Sequence, residues 1–305
     1  MRIISFDGGG IRGLFSLLVL KRLDTQRPGF VSSCDLFAGT SVGGIIALAL
    51  AAGIGIDELI EMFRMHTDEI FPRQNFTGKL RNSALAGPRY SNDGLVHLLQ
   101  AKFGDMRMSD VRKGALAVAF SLDRKQRHPT DRSWGPKFFH NLDAKTGDLD
   151  ALCWKVALYT SAAPTYFPSV DGYIDGGVAV NDPSMCAYSL ARNQLREQGR
   201  YEEGIRLLSI GTGRNVRYID KDSSGWGLIE WSPHILPLLM DAHSGIAEYQ
   251  CRAALGNGYL RLNSCFHEGG FVGLDDIESL PLIEEASGEL DLTDALAWLD
   301  GIWAS

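Results

Sequence analysis

The 305-residue sequence has few of the features that mark secreted, zinc-binding or membrane-spanning proteins. Its five cysteines are scattered without a C-x-x-C pair, which argues against a disulfide framework or a cysteine zinc site. The longest apolar run, residues 45–52, is far shorter than the roughly 20 residues of a membrane-spanning helix. The N-terminus reaches a charge and three glycines too early for a signal peptide. We therefore expect a soluble cytoplasmic protein that touches a membrane only from outside.

Basic residues are missing from the C-terminal end of the sequence, and acidic residues are missing from residues 70–92. The net charge of −7 argues against binding duplex nucleic acid. No Lys or Arg follows Arg261, although ten acidic residues do. Residues 70–92 contain no acid but carry Arg73, Lys79, Arg81 and Arg89, and the loop predicted over residues 123–136 carries Arg124 and Arg127. These segments are either solvated surfaces or sites for phosphates and for a neighbouring subunit's acidic tail.

Apolar runs and helical patterns alternate along the first two-thirds of the chain. Strands are predicted at residues 3–6, 35–39, 115–122, 173–174 and 205–210, and helices at 45–52, 57–71, 94–102, 149–161 and 184–198. This alternation predicts an α/β fold with a mostly parallel central sheet flanked by helices. The sequence shows no linker, so we expect one domain over residues 1–305, with residues 214–305 mostly helical.

The stretch DGGGIRG, residues 7–13, permits two interpretations. It contains G-x-G-x-x-G between a predicted strand and a predicted helix, as a dinucleotide-binding turn does. The same backbone amides could instead stabilise the oxyanion of a reacting ester. A dinucleotide site needs an acidic residue at the end of the second strand to hold the ribose. That strand ends in Gly39-Thr40-Ser41, with Asp35 at its beginning, and the cofactor interpretation therefore fails.

The stretch GTSVG, residues 39–43, matches G-x-S-x-G between a predicted strand and a buried helix. Such a sharp turn exposes a serine hydroxyl, and its small flanking residues prevent clashes. The serine also lies at a helix N-terminus, where unpaired amides favour developing negative charge. Ser41 is therefore a candidate nucleophile, and residues 7–13 are a candidate oxyanion loop beside it.

Three motifs in this order, DGGGIRG (7–13), GTSVG (39–43) and DGG (175–177), resemble the signature blocks of the patatin-like phospholipases. The segment APTYFP, residues 163–168, is also similar to the family. The resemblance covers residues 1–213 and implies a three-layer patatin-like α/β fold. It also implies hydrolysis of fatty-acyl esters of membrane phospholipids by a Ser–Asp dyad, with Ser41 as nucleophile and Asp175 as base. No cofactor and no metal are expected.

The oxyanion hole is expected in the glycine loop, from Gly8, Gly9, Gly10 and Arg12. Arg12 either adds positive charge near the hole or fixes the loop through an ion pair. A Ser–His–Asp esterase of small esters remains an alternative, because His234, His243 and His267 all follow Asp175. A non-enzymatic lipid or nucleotide sensor would require a degraded signature block, and none is degraded.

Two further expectations concern the membrane and regulation. Residues 225–240 carry Trp226, Trp231 and closely spaced leucines, which is typical of a helix at a bilayer surface, although a core or subunit-contact helix has the same pattern. The chain also resembles, at subfamily level, the CBASS anti-phage effectors that cyclic nucleotides activate. That resemblance implies a cyclic dinucleotide activator, with the alternative of a constitutive acyl hydrolase. Separately, a basic patch and an acidic tail on one chain would make a head-to-tail contact between subunits, which can propagate into a ring or filament. The protein would then lie at the inner face of the membrane when active.

Overall fold

The apolar N-terminal run forms an inner strand of a sheet, and the glycine-rich turn after it leads into a helix. The structure, a computed structural model, describes residues 1–72, 87–124, 132–143, 148–216, 218–219, 223–266 and 271–304. Its strands are β1 (Arg2–Phe6), β2 (Leu36–Thr40), β3 (Gly114–Ser121), β4 (Gly135–His140), β5 (Tyr173–Asp175), β6 (Arg206–Ile210) and β7 (Tyr259–Leu262). Its α-helices are α1 (Gly13–Gln26), α2 (Val42–Ala52), α3 (Ile56–Met65), α4 (Thr67–Ile70), α5 (Asp93–Phe103), α6 (Cys153–Ser161), α7 (Ser184–Glu197), α8 (Leu228–Leu255), α9 (Leu280–Glu289) and α10 (Thr293–Trp298).

The sheet is mixed and mostly parallel. Its order is β4-β3-β2-β1-β6-β7, and the strands from β3 to β7 along this order run parallel to one another. Strand β4 pairs antiparallel with β3 at one edge. Strand β5 also pairs antiparallel with β3, on residues of β3 beyond those that pair with β2. The predicted α/β class is confirmed.

Alternation along the strands divides the core between the two faces of the sheet. Ile4 and Phe37 belong to the larger apolar cluster, which includes α1, α2, α5 and α6. Their neighbours Ile3 and Leu36 belong to the smaller cluster beneath α7. Since successive side chains of a strand point to opposite faces, helices cover both sides of the sheet. All eleven residues of α2 are buried, so this helix is fixed against the sheet directly beneath the predicted nucleophile.

Two strands lie where the sequence predicts none. Strand β4 begins at the end of the predicted loop at 123–136, and β7 lies in the part expected to be mostly helical. Both are edge strands, and short edge strands carry weak sequence patterns because packing on a neighbour decides them. The rest of the C-terminal part is largely helical, in α8, α9 and α10.

The acidic C-terminal part pairs with basic residues of the same chain. Arg27 contacts Asp300, and Arg64 lies 2.7 Å from Glu284. Both pairs are solvent-exposed, so each contributes little stability. Among the described residues, no helix is long and apolar enough to cross a membrane.

Candidate active site

Ser41 lies at the sharp turn between β2 and α2. Its φ of 56° and ψ of −129° place a non-glycine residue in a strained backbone conformation. Gly39 has no room for a side chain, because an added Cβ would meet the backbone of Gly43. The Ser41 amide donates to Thr160 Oγ1 at 2.8 Å, and Thr160 donates in turn to the carbonyl of Val118. Buried Thr160 therefore ties the strained turn to strand β3.

The sheet register brings Asp175 to Ser41. Thr40, the last residue of β2, pairs with Val118 of β3, and the next residue of β3, Ala119, pairs with Asp175 of β5. Strand β5 thus occupies the place beside β3 that β2 leaves free when the chain turns at Ser41. Residues 134 positions apart in the sequence become neighbours through one shared strand.

Asp175 is buried, and its surroundings favour the neutral form. Burial raises the pKa of Asp175 from 3.8 to about 6, while hydrogen bonds from the Ser41 hydroxyl and the Gly177 amide oppose the rise. The Gly177 amide donates to Asp175 Oδ1 at 2.7 Å. In the described part of the chain, no cationic side chain forms an ion pair with this carboxylate. A carboxyl with a pKa near 6 is a stronger base than an exposed aspartate and is still ionised at neutral pH.

The glycine loop lies against the serine. A Cβ added to Gly8 would lie 3.2 Å from Ser41 Cβ. The Gly8 amide, however, donates to the carbonyl of Asn181 at 3.0 Å, so Gly8 is not available as an oxyanion donor. The Gly9 and Gly10 amides donate to no other described residue, and both glycines line the same cleft as Ser41. The predicted set of donors is thus narrowed to these two amides.

Arg12 supports the loop and does not line the cleft. Its side chain donates to the carbonyls of Gly9 and Gly213, both at 3.4 Å. Of the two interpretations offered by the sequence, the contacts favour a structural role for Arg12.

Asp7, which precedes the loop, is held by a buried ion network. Arg261 of β7 donates to both Asp7 oxygens, at 2.7 and 2.5 Å, and lies 3.4 Å from Asp182. Burial raises the pKa of Asp7 to about 7, an effect that Arg261 opposes. The sequence pattern did not indicate this role of Arg261, because the residue lies 254 positions away on an unpredicted strand.

Asn181 is a second residue that the sequence analysis missed. Its carbonyl fixes Gly8, its Nδ2 donates to Ser244 of α8 at 3.2 Å, and its buried Oδ1 has no described partner. An added Cβ on Gly177 would lie 3.4 Å from this oxygen and 3.1 Å from Asp175 Oδ1. Asn181 therefore joins the glycine loop, the Asp175 turn and α8. In the sequence, its position six residues after Asp175 is the feature that could have pointed to it.

The dyad opens into an apolar cleft. Its polar lining includes Ser41 and Asp175, the glycines Gly9 and Gly10, and the hydroxyl-bearing residues Thr67 and Ser161. The apolar part comes chiefly from α2, α3, α5 and the segment at residues 163–167, with Ile45, Phe63, Leu95, Leu98 and Phe167 among its members. A long alkyl chain fits such a lining, because transfer of each CH₂ group from water is worth about 0.8 kcal/mol.

The described histidines are not part of this arrangement. His234 stacks on Trp226 with ring centroids 5.4 Å apart, and the buried Nδ1 of His243 has no hydrogen-bond partner. Neither residue lines the cleft. His267 lies outside the described residues. The geometry thus favours a dyad over the alternative triad.

Comparisons with known proteins identify the family of the chain. The family model described as patatin-like phospholipase matches residues 4–187, which include all three motifs. The chain belongs to the patatin-like phospholipase family. The predicted class of enzyme, a lipid acyl hydrolase acting on carboxylic esters, is confirmed.

Individual relatives span most of this patatin-like phospholipase. Patatin-like protein 2 of Arabidopsis thaliana is 28% identical over 94% of this chain and 82% of its own length. A cGAMP-activated phospholipase of Pseudomonas aeruginosa is 31% identical over 86% of this chain and 77% of its own length. The solved structure of VipD from Legionella pneumophila aligns with 94% of this chain and 66% of the VipD chain, at 10% identity and a TM-score of 0.44.

The residues expected to contact a nucleotide are only partly described. Arg73, Lys79, Arg81 and Arg127 lie outside the described residues. Arg89 pairs with Asp275 at 3.0 Å and lies over the Tyr166 ring, and Arg124 donates to the carbonyl of Trp134 at 3.3 Å. The described part of the basic segment therefore meets the acidic C-terminal part within one chain.

The two tryptophans expected at the membrane stack on each other. The Trp226 and Trp231 rings meet edge to face with centroids 5.1 Å apart, and both side chains are half-buried. The fully exposed apolar side chains nearby are Leu228 and Ile229 of α8.

Proposed function

We propose that this patatin-like phospholipase cleaves fatty-acyl esters of membrane phospholipids with Ser41 as nucleophile and Asp175 as the general base. The observation that carries the proposal is a strained turn that holds Ser41 beside the buried carboxylate of Asp175, at an apolar cleft. In this proposal the Asp175 carboxylate accepts the Ser41 proton as the serine oxygen attacks the acyl carbonyl carbon. The amides of Gly9 and Gly10 donate to the oxyanion that develops.

The same two residues complete the reaction. Protonated Asp175 returns its proton to the departing alcohol oxygen of the lysophospholipid as the ester C–O bond breaks, which leaves an acyl group on Ser41. A water molecule then attacks this acyl group, Asp175 accepts a proton from the water, and the free fatty acid departs as Ser41 is reprotonated. Each step needs one carboxylate that can exchange a proton near neutral pH, and a pKa of about 6 suits it.

The test is mass spectrometry of phospholipids incubated with wild-type protein and with Ser41→Ala and Asp175→Asn. Wild-type protein is expected to release fatty acid, and both variants are expected to lose more than about 1,000-fold of the rate. His234→Ala and His243→Ala are matched controls that retain most activity. Loss of activity in either histidine variant, with the fold intact, would favour the triad.

A second proposal is control by a cyclic dinucleotide, with assembly into an oligomer or filament as an anti-phage effector at the inner face of the membrane. Its support is the 31% identity to a protein named a cGAMP-activated phospholipase. The alternative is a constitutive lipid acyl hydrolase. Arg89 and Asp275 already pair within one chain, so these two charges give less support to a head-to-tail contact between subunits. A panel of cyclic nucleotides that changes neither the hydrolysis rate nor the sedimentation coefficient would exclude this control.

A further inference from the structure

Helix α8 carries an apolar stripe that the rest of the described chain leaves uncovered. Leu228, Ile235, Leu239 and Ile246 follow one another at intervals of 7, 4 and 7 residues, which places them on one face of the helix. Their exposed fractions are 79%, 43%, 44% and 54%. The stripe is about 27 Å long at the rise of an α-helix. Exposed apolar stripes of this length mark interaction surfaces.

The stripe is not the face by which α8 packs on the protein. That face carries Ala247 and Cys251, which are buried. Met240 and Ser244 point the same way, toward the turn that follows Asp175. On a helical projection, the mean direction of the four stripe residues differs by about 100° or more from the directions of these residues. One helix therefore contacts the candidate active site on one side and presents apolar side chains to the surroundings on another.

The helix that carries the stripe also contributes to the wall of the cleft in which the substrate is expected. Met240 lines this cleft, and an added Cβ on Gly177 would lie 3.7 Å from Met240 Cε. None of the four stripe residues lines the cleft itself. The stripe and the cleft thus lie on two different sides of one helix.

The charges of α8 indicate the kind of lipid surface. Its acidic residues are Glu230, Asp241 and Glu248, and its single cation, Arg252, lies 2.8 Å from Glu248. A helix without an available cation gains nothing from anionic headgroups, which attract Lys and Arg. Insertion of apolar side chains is then the source of affinity.

We propose that the stripe formed by Leu228, Ile235, Leu239 and Ile246 docks the enzyme on electrically neutral phospholipid bilayers. This inference rests on the proposed function, because it assumes that the cleft beside Met240 receives a phospholipid. It differs from the sequence prediction in placing the contact on exposed aliphatic residues instead of on Trp226 and Trp231. Trp226, just before the helix that carries the stripe, stacks on His234 and meets Trp231 edge to face.

The experiment measures co-sedimentation with phosphatidylcholine vesicles, in the Ser41→Ala background so that the lipid stays intact. Leu228→Gln combined with Ile235→Gln and Leu239→Gln is expected to lower the partition coefficient by more than about tenfold, since three apolar groups no longer leave water. Glu230→Gln combined with Asp241→Asn, on the charged face, is the matched control and leaves binding unchanged. Raising NaCl from about 0.1 M to about 1 M changes the binding by less than about twofold.

Hydrolysis of a soluble short-chain ester separates this inference from the proposed function. With Ser41 present, the triple variant keeps the wild-type rate on that ester and loses rate on vesicles. Vesicle binding that survives the triple substitution, or that requires anionic lipid, would overturn the docking surface. A wild-type dimer that does not bind vesicles and that the triple variant dissociates would assign the stripe to a second copy of the chain. An inactive wild-type protein that still binds vesicles through the stripe would instead refute the proposed hydrolysis.

Discussion

Asp7 and Asp175 begin the same tripeptide, Asp-Gly-Gly, and each lies at the end of a strand with its side chain buried. Burial raises the pKa of both carboxyls, to about 7 for Asp7 and to about 6 for Asp175. Their partners differ. Asp7 receives two hydrogen bonds from the Arg261 guanidinium. Among the described residues, the partners of Asp175 are the Gly177 amide and the Ser41 hydroxyl, neither of which is charged.

The difference separates a structural carboxylate from a reactive one. The Arg261 guanidinium bonds to both Asp7 oxygens, and Asp7 does not line the cleft. Asp175 has no cation bonded to its oxygens among the described residues, and it lines the cleft with Ser41, where a general base is required. The same three residues therefore anchor the glycine loop in one place and provide the proposed base in the other.

Removing the cation is the strongest way to break the Asp7 side of this comparison. Arg261→Met is expected to lower the free energy of unfolding by about 3–5 kcal/mol, because it leaves Asp7 and Asp182 buried without an opposite charge. Urea denaturation at pH 7 measures the loss. Arg261→Lys keeps the charge but not the bidentate geometry, so its loss is smaller. A loss under about 1 kcal/mol for the methionine variant would show that the network does not support the loop.

The substitution Asp175→Asn is expected to change stability and activity in opposite directions. At Asp175 the folded-state pKa lies about two units above 3.8, so the carboxyl contributes stability below pH 3.8 that is lost as the pH rises through about 6. Asp175→Asn therefore stabilises the protein at pH 8 by up to about 3 kcal/mol, at about 1.4 kcal/mol per unit, while activity is lost. At pH 4 the difference largely disappears.

Asp7→Asn is the matched control, because it leaves the Arg261 charge buried beside only Asp182. We expect this variant to gain less stability than Asp175→Asn at pH 8, because the lost ion pair opposes the gain from removing a carboxyl whose pKa is raised. Urea denaturation of both variants at the two pH values gives the comparison. An equal or larger gain for Asp7→Asn would show that the Arg261 pair does not distinguish the two carboxylates.

A charge placed beside Asp175 is expected to change the pKa of the proposed base. With Asp175 as base, kcat/KM for a soluble ester rises with pH through about 6, because the carboxyl must be ionised in the free enzyme. Asn181→Asp places a second carboxylate near Asp175 and is expected to move this acidic limb upward by about one pH unit. Asn181→Ala adds no charge and leaves the limb in place, whatever it does to the maximal rate. An unchanged limb in the aspartate variant would exclude Asp175 as the titrating group.

The sequence was sufficient for local features and for the presence of the site. The turn at Ser41 depends on Gly39 and Gly43, which lie within two residues of it, so a five-residue pattern predicts it. The fold class follows from the alternation of apolar runs and helical patterns. The proximity of Ser41 and Asp175 came only from the family resemblance, since it requires strand β5 to pair with β3 beyond the end of β2.

The sequence could not show which groups of a motif are already engaged in hydrogen bonds or ring contacts. Gly8, Gly9 and Gly10 are equivalent in the motif, and only the hydrogen bond from Gly8 to Asn181 separates them. Likewise, Trp226 and Trp231 stand out by residue type, but their stacking leaves neighbouring aliphatic residues more exposed. The assignment of residues 1–305 to one domain stays a prediction.

Besides the buried carboxylate of Asp175, the candidate active site contains a second energetically unfavourable feature, which is the backbone conformation of Ser41. A φ of 56° costs a residue with a Cβ roughly 1–3 kcal/mol, and glycine avoids most of that cost. Ser41→Gly and Ser41→Ala both remove the hydroxyl, so the difference between their free energies of unfolding measures the cost of the backbone conformation. We expect the glycine variant to be more stable by about 1 kcal/mol. At exposed Ser189 in helix α7 the order should reverse by a similar amount, because glycine is about 1 kcal/mol less favourable than alanine within a helix. The same order at both positions would mean that the turn is not strained, and the position of Ser41 in the lining of the cleft would then need another cause.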